Sequence, residues 1–261
     1  MVETLYALPV AFFAGLVDAI AGGGGLIQLP GLFLLFPTLP VVTILGTNKL
    51  ASCCGTFMSS WHYVRTLKID VKSLLPTLLC SFIFSTLGAK TATLIDNQLL
   101  KPIIFVLLIV IGLYAYFNKG LGSITRHEKI VGVKLRIYAA LIGMIMGFYD
   151  GFFGPGTGSI LIFLFVGWLG FSFLQGSAFS KLTNLASNIA AMLYFAHSSN
   201  ILYRLAIPMA VCNVLGNLMG AKLAIKKGSG FIRSIFLIVI LCILAQFTYQ
   251  SGLIQKIVQS W

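Results

Sequence analysis

Two mostly apolar runs, 5–37 and 135–171, are each too long for a single membrane crossing, and each is broken near its middle by glycine. One crossing takes roughly 20 mostly apolar residues at 1.5 Å rise each. The breaks are Gly22 to Gly25 and Gly154-Pro155-Gly156-Thr157-Gly158. Glycine and proline both oppose helix continuation, so each run is expected to form two helical pieces meeting at a non-helical corner. Charge content places these runs in a bilayer: 9% of residues are charged, against about 25% in soluble domains. The fold class is therefore an all-α, polytopic integral membrane protein.

The two runs belong to a longer pattern. Sliding the chain against itself by 132 residues matches Gly15 with Gly147, Asp18 with Asp150, Gly22 with Gly154 and Gly24 with Gly156. Lys49 then falls on Lys181, Pro76 on Pro208, Cys80 on Cys212, and Gly88-Ala89-Lys90 on Gly220-Ala221-Lys222. The matched positions include every charge embedded in an apolar segment, which composition alone does not require. Two homologous halves are expected, 1–118 and 135–261, joined by a basic linker at 119–134. Each half reads as one interrupted unit followed by three helices: about 43–64, 73–94 and 98–117, then 174–197, 203–225 and 231–250.

Loop charge orients the halves. Arg65, Lys68 and Lys72 lie in one loop, Lys119, Arg126, Lys129, Lys134 and Arg136 in the central connection, and Lys222, Lys226, Lys227 and Arg233 in a third. Placing all three in the cytoplasm satisfies the positive-inside rule best. It requires each interrupted unit to return to the side it started from, giving inverted repeats with both termini outside; a parallel repeat, with each unit crossing once, satisfies the rule less well. The net charge of +12 is accounted for by these loops, and no nucleic-acid module is present. Glu3 precedes the first apolar run without a basic stretch or a cleavage site, so that run is expected to remain rather than be removed as a signal. Cys53, Cys54, Cys80, Cys212 and Cys242 lie in apolar segments and suit buried small hydrophobes better than disulfides or a metal site. Trp61, Trp168 and Trp261 fall where interfacial anchors are expected.

Irregular backbone at membrane depth persists only where protein buries it or where it lines a water-filled cavity. The corners at Gly22, Gly23, Gly24 and Gly25 and at Gly154, Gly156, Thr157 and Gly158 are the first candidates for a substrate site. Helices beginning after them would present free N–H groups to an anion. Lys49 and Lys181 sit inside apolar helices, beside Thr47 and Asn48 and beside Thr183 and Asn184. A charge there is costly and marks function by default. Three readings are open: contact with a small anion, ion pairing with Asp18 and Asp150, or snorkelling to an interface. Asp18 and Asp150 either cap the corner N–H groups or carry a coupled proton. His62, His127 and His197 look like helix-end or loop residues. Enzyme readings lack a motif: no HExxH, Walker A or nucleophile elbow occurs, and no cofactor or metal is expected. A passive anion channel and a non-transporting membrane scaffold are the rivals to a transporter.

Three segments resemble a known family. Val17-Asp18-Ala19-Ile20-Ala21-Gly22-Gly23-Gly24-Gly25-Leu26-Ile27, Leu45-Gly46-Thr47-Asn48-Lys49-Leu50 and Asp150-Gly151-Phe152-Phe153-Gly154-Pro155-Gly156-Thr157-Gly158-Ser159 resemble the TauE/SafE-type sulfite exporters of bacterial inner membranes, over essentially the whole chain. The resemblance implies export of sulfite, an organosulfonate or a related small anion, driven by a proton or other ion gradient. The second half departs from the first, with Ser180-Lys181-Leu182 where the first has Asn48-Lys49-Leu50.

Overall fold

The computed structural model of the chain describes residues 2–67, 71–100, 102, 103, 130 and 132–250. Helix α1 (Val2–Ala21) stops where Gly22 takes φ +75°, a left-handed backbone open to glycine without steric cost. After the corner, α2 (Gly25–Leu35) runs back along α1, with Gly24 against Ala14 and Gly31 against Val10. Two long helices follow, α3 (Val41–Thr66) and α4 (Val71–Leu94). The second interrupted unit repeats the device. Helix α5 (Gly132–Phe152) ends before Gly154 (φ +98°) and Gly156 (φ +77°), and α6 (Thr157–Phe163) continues into a π-helical turn, Leu164–Trp168. The unit closes on itself: Ile130 N–H donates to Leu169 O at 3.4 Å, and Tyr138 lies 5.3 Å from Trp168, ring to ring. Then come α7 (Phe173–His197), opened by a Ser172–Gln175 capping box, and α8 (Tyr203–Gln250). The starts of α2, α3 and α4 recur 132 residues on, at the starts of α6, α7 and α8.

Both interrupted units return to the end they came from, and they come from opposite ends. Tyr63, Leu67, Phe173, Leu174, Ala221 and Ala224 share one cluster. That cluster gathers the last turn of α3, the first turn of α7 and the Lys222 region of α8 at one end, here called the basic end. The α5–α6 unit opens there too, beside the start of α7. The far end holds the starts of α3 and α8: Val41 N–H donates to Asn97 Oδ1 at 2.7 Å, and Leu202 N–H to Thr47 Oγ1 at 3.0 Å. Its larger apolar cluster contains Ala7, Phe33, Ile44 and Phe195.

Packing is inside-out relative to a soluble protein. Leu75, Leu79, Ile83 and Leu87 on α4, and Ile207, Val211, Leu215 and Met219 on α8, form exposed apolar stripes at four-residue spacing. The buried residues include Gln28, Asn48, Lys49, Asp150, Lys181, Asn184, Asn188, Asn213 and Asn217. Such a pattern belongs to a helical bundle whose outer solvent is lipid. Glu3–Ala21, Leu74–Leu94, Gly132–Phe152 and Tyr203–Lys227 are long and apolar enough to cross a membrane. Helices α3 and α7 are as long but carry polar faces. They lie at the centre, packed on each other, with α8 beside α3 and α4 beside α7. Glycines allow the flanking helices to approach: Gly143, Gly147 and Gly151 of α5 meet Thr77, Ser81 and Ser85 of α4 backbone to backbone, the small-residue seam usual between helices in lipid.

One expected boundary is absent. Instead of separate helices at 203–225 and 231–250, α8 is continuous through Gly228 and Gly230. Without a proline, two glycines cost a helix only about 1 kcal/mol each, too little to break it. The helix expected at 98–117 and the basic linker lie almost entirely outside the described residues, as does Trp261.

Candidate functional site

The two corners meet. A side chain on Gly22 would run into the backbone of Gly158, and one on Gly158 into the backbone of Gly22. Ser159 N–H donates to Gly22 O at 3.1 Å and its hydroxyl to Ala21 O at 2.8 Å. From α7, Ser180 Oγ–H donates to Gly158 O at 2.8 Å. Two backbones can touch in this way only if neither carries a Cβ, which is why glycine stands at both positions.

Around this crossing the four embedded charges form two pairs, one joining α3 to α5 and one joining α7 to α1. Lys49 Nζ lies 2.7 Å from Asp150 Oδ2, and Lys181 Nζ lies 2.8 Å from Asp18 Oδ2. None of the four reaches an interface, so snorkelling is not what the lysines do. Nor do the carboxylates cap their corners: they face ammonium groups instead. Buried charges demand such pairing, because an uncompensated one costs several kcal/mol.

The two pairs are built differently. Lys181 directs a hydrogen bond at Asp18 Oδ2, which also accepts from Thr56 Oγ1 at 3.4 Å. Lys49 aims its hydrogen bond at Asn188 Oδ1, 2.9 Å away. Its close approach to Asp150 Oδ2 is off the hydrogen-bonding direction, so that oxygen has an ion partner but no directed hydrogen bond. Asn188 Nδ2 donates in turn to Asn184 Oδ1 at 3.4 Å.

A polar cavity sits among these groups. It is lined by Asp18, Lys49, Asp150 and Asn188, by Asn48, Ser52, Thr56 and Asn184 of the central helices, and by Gly22, Gly25, Gly154 and Gly158 of the corners. Its free space is about 20 Å³, close to what one water molecule needs. Of the residues expected from sequence, Asn48, Lys49, Gly22, Gly25, Gly154, Gly158 and Asn184 come together here. Lys181, fully buried, sits behind Asp18 rather than on the cavity wall. Gly24 packs against α1, Gly23 O accepts from Leu26 N–H at 3.0 Å, and Gly156 and Thr157 shape the second corner, where Thr157 Oγ1–H donates to Gly154 O at 2.8 Å. Thr47 instead ties the start of α8 to α3. Thr183 is buried without a partner for its hydroxyl and lies off the cavity.

Ser52, Thr56 and Asn188 are wall residues that motif reading passed over. Their signal was periodic. Polar residues follow Lys49 at three and seven positions (Ser52, Thr56), and Lys181 likewise (Asn184, Asn188). Those intervals stack residues on one helix face.

Residues 7–247 match the family described as Sulfite exporter TauE/SafE. The chain belongs to the TauE/SafE family. It is 35% identical over 243 residues to a "Probable membrane transporter protein" of Haemophilus influenzae, covering 93% of each chain. It is 33% identical over 242 residues to the "Probable membrane transporter protein YfcA" of Escherichia coli K12, covering 93% of this chain and 88% of that one. A Sinorhizobium protein named "Probable membrane transporter protein ORF9" is 35% identical over 229 residues, covering 88% and 86%. No solved structure matches. The chain thus covers 86–93% of the length of these relatives, each of which is named a probable membrane transporter.

Proposed function

We propose that this protein is a secondary transporter that exports a small sulfur oxyanion, sulfite or an organosulfonate, by alternating access. One observation carries the reading: Lys49, Asp150 and Asp18, the last held from behind by Lys181, line a water-sized polar cavity where two re-entrant corners cross. A buried ammonium held by a carboxylate is a site that another anion can occupy by exchange. The anion replaces Asp150 at Lys49, the ammonium on the cavity wall, whose hydrogen bond already goes to a neutral amide. Asn188, Asn184 and the Gly25 end of α2 supply further polar contacts. Asp18 and Lys181 stay paired and hold the corners in place.

The cavity is too tight for a tetrahedral anion alongside both carboxylates, so loading requires the walls to part. That favours a moving carrier over an open pore. Two halves entering from opposite ends are the arrangement in which rocking exposes a midplane site to either side, and we read them as inverted repeats. With the basic end in the cytoplasm, the first helix enters from the periplasm of a bacterial inner membrane. A proton or another ion would supply the driving force. Proteoliposomes offered sulfite, thiosulfate, sulfoacetate and sulfate, with and without a pH gradient, test this. Saturable, gradient-dependent flux of one of them is expected. Non-saturating conductance would make the protein a channel, and absence of flux would make it a scaffold.

A further inference from the structure

The cavity is walled differently towards its two ends. Helices α3 and α7 run antiparallel across it: Lys49 meets Asn188 at one level, and Thr56 and Lys181 meet on Asp18 at the next. One turn further towards the basic end, that register brings Ser60 level with Ser177. One turn the other way, it brings Leu45 level with Met192. Ser60 is 2% exposed and Ser177 fully buried, and neither hydroxyl has a hydrogen-bond partner. Two unpaired buried hydroxyls at one level of a helical interface are a cost unless something passes that they can bond.

The next level out repeats the contrast. Towards the basic end stands Tyr63, whose hydroxyl donates to Ala19 O at 3.1 Å, in a smaller cluster whose fully buried members are mostly alanines, with Leu67, Phe173 and Leu174 packed at its edge. Towards the other end stands Phe195, which occupies the matching position of the second half. It is buried in the large cluster with Val41, Ile44, Leu45 and Leu205. One side of the cavity is thus closed by the larger apolar cluster, the other by a hydroxyl pair and then a smaller apolar cluster centred on the tethered Tyr63 ring. Arg65 and Lys222, just beyond that ring, supply positive potential that draws anions.

We propose that Ser60 and Ser177 form a transit site for the anion between the cavity and the basic end, with Tyr63 as its outer lid. The inference rests on the reading of the cavity as an anion site. The hydroxyls donate to an oxyanion, or to its hydrating water, as it enters, and the Tyr63 tether to Ala19 breaks to let it through. The conformation described here is poised to open to the basic end and shut to the other.

Cysteine labelling tests this in the full chain, with Cys53, Cys54, Cys80, Cys212 and Cys242 replaced by alanine. The probe is a membrane-impermeant methanethiosulfonate bearing a sulfonate, applied to vesicles of either orientation. Ser60→Cys and Ser177→Cys should react from the basic end, faster than Leu45→Cys or Met192→Cys by on the order of tenfold, as expected when one closure opens more readily than the other. Tyr63→Phe should raise the Ser60→Cys rate. Equal labelling at all four positions, or labelling of the serine positions only from the far end, overturns the proposal. Labelling needs no transported substrate, so the pattern can fail while flux persists, and flux can fail while the pattern holds.

Discussion

Lys181→Met removes the fully buried member of a largely buried ion pair and leaves Asp18 beside Thr56 without its ion-pair partner. Lys181 has no exposed side-chain surface and the Asp18 side chain 12%, so little water reaches the stranded carboxylate. Breaking a buried pair in this way costs about 3–5 kcal/mol, whereas replacing both partners by neutral groups is often close to neutral. For a chain of this size, each kcal/mol shifts the melting temperature by roughly 2–4 °C. The single variant should therefore melt about 6–20 °C below wild type in detergent, followed by tryptophan fluorescence or light scattering. Lys181→Met combined with Asp18→Asn should recover most of that loss, because the uncompensated charge is gone. A single variant that melts within about 2 °C of wild type, or a double variant no more stable than the single, would refute the picture of a closed, water-poor pair.

Other outcomes follow from the same geometry. Lys49→Ala and Lys181→Ala should each abolish flux in proteoliposomes while leaving membrane insertion intact, Lys49 through lost anion contact and Lys181 through a disordered corner. Asn188→Ala should raise the half-saturating anion concentration by about ten- to a hundredfold with a smaller effect on maximal rate, since one hydrogen bond to a charged group is worth about 1.5–3 kcal/mol. Gly22→Ala forces a side chain into the backbone of Gly158 at φ +75°; it should lower the yield of monodisperse protein on size exclusion far more than Gly167→Ala, whose nearest neighbour is the flexible edge of Phe163.

Much of the architecture was legible because membrane folding restricts the choices. Glycine breaks in over-long apolar runs foretold both corners, and loop lysines foretold that each interrupted unit returns to its starting end. Asp18, Lys49, Asp150 and Lys181 stood out because charge in an apolar helix requires compensation. Which lysine meets which aspartate was not legible: α3 pairs with α5 and α7 with α1, and that depends on how α3 and α7 dock. The continuous α8 was missed because the basic stretch with Lys222, Lys226, Lys227 and Arg233 was read as a loop, although a helix can carry it. Thr47 was drawn into the site by its neighbours, yet in the fold it faces the first turn of α8. Ser52, Thr56 and Asn188 were hidden because a polar face on a central helix looks, residue by residue, like ordinary serine, threonine and asparagine content.

The difference in the roles given to the two lysines is the most direct point of attack. Sulfite flux into proteoliposomes should be measured side by side for wild type, Lys49→Met and the Lys181→Met/Asp18→Asn double variant, each checked for melting temperature. Saturable flux in wild type, partial flux in the double variant and none in Lys49→Met is the expected order. Flux through Lys49→Met at the wild-type rate would show that the anion does not travel by way of this cavity.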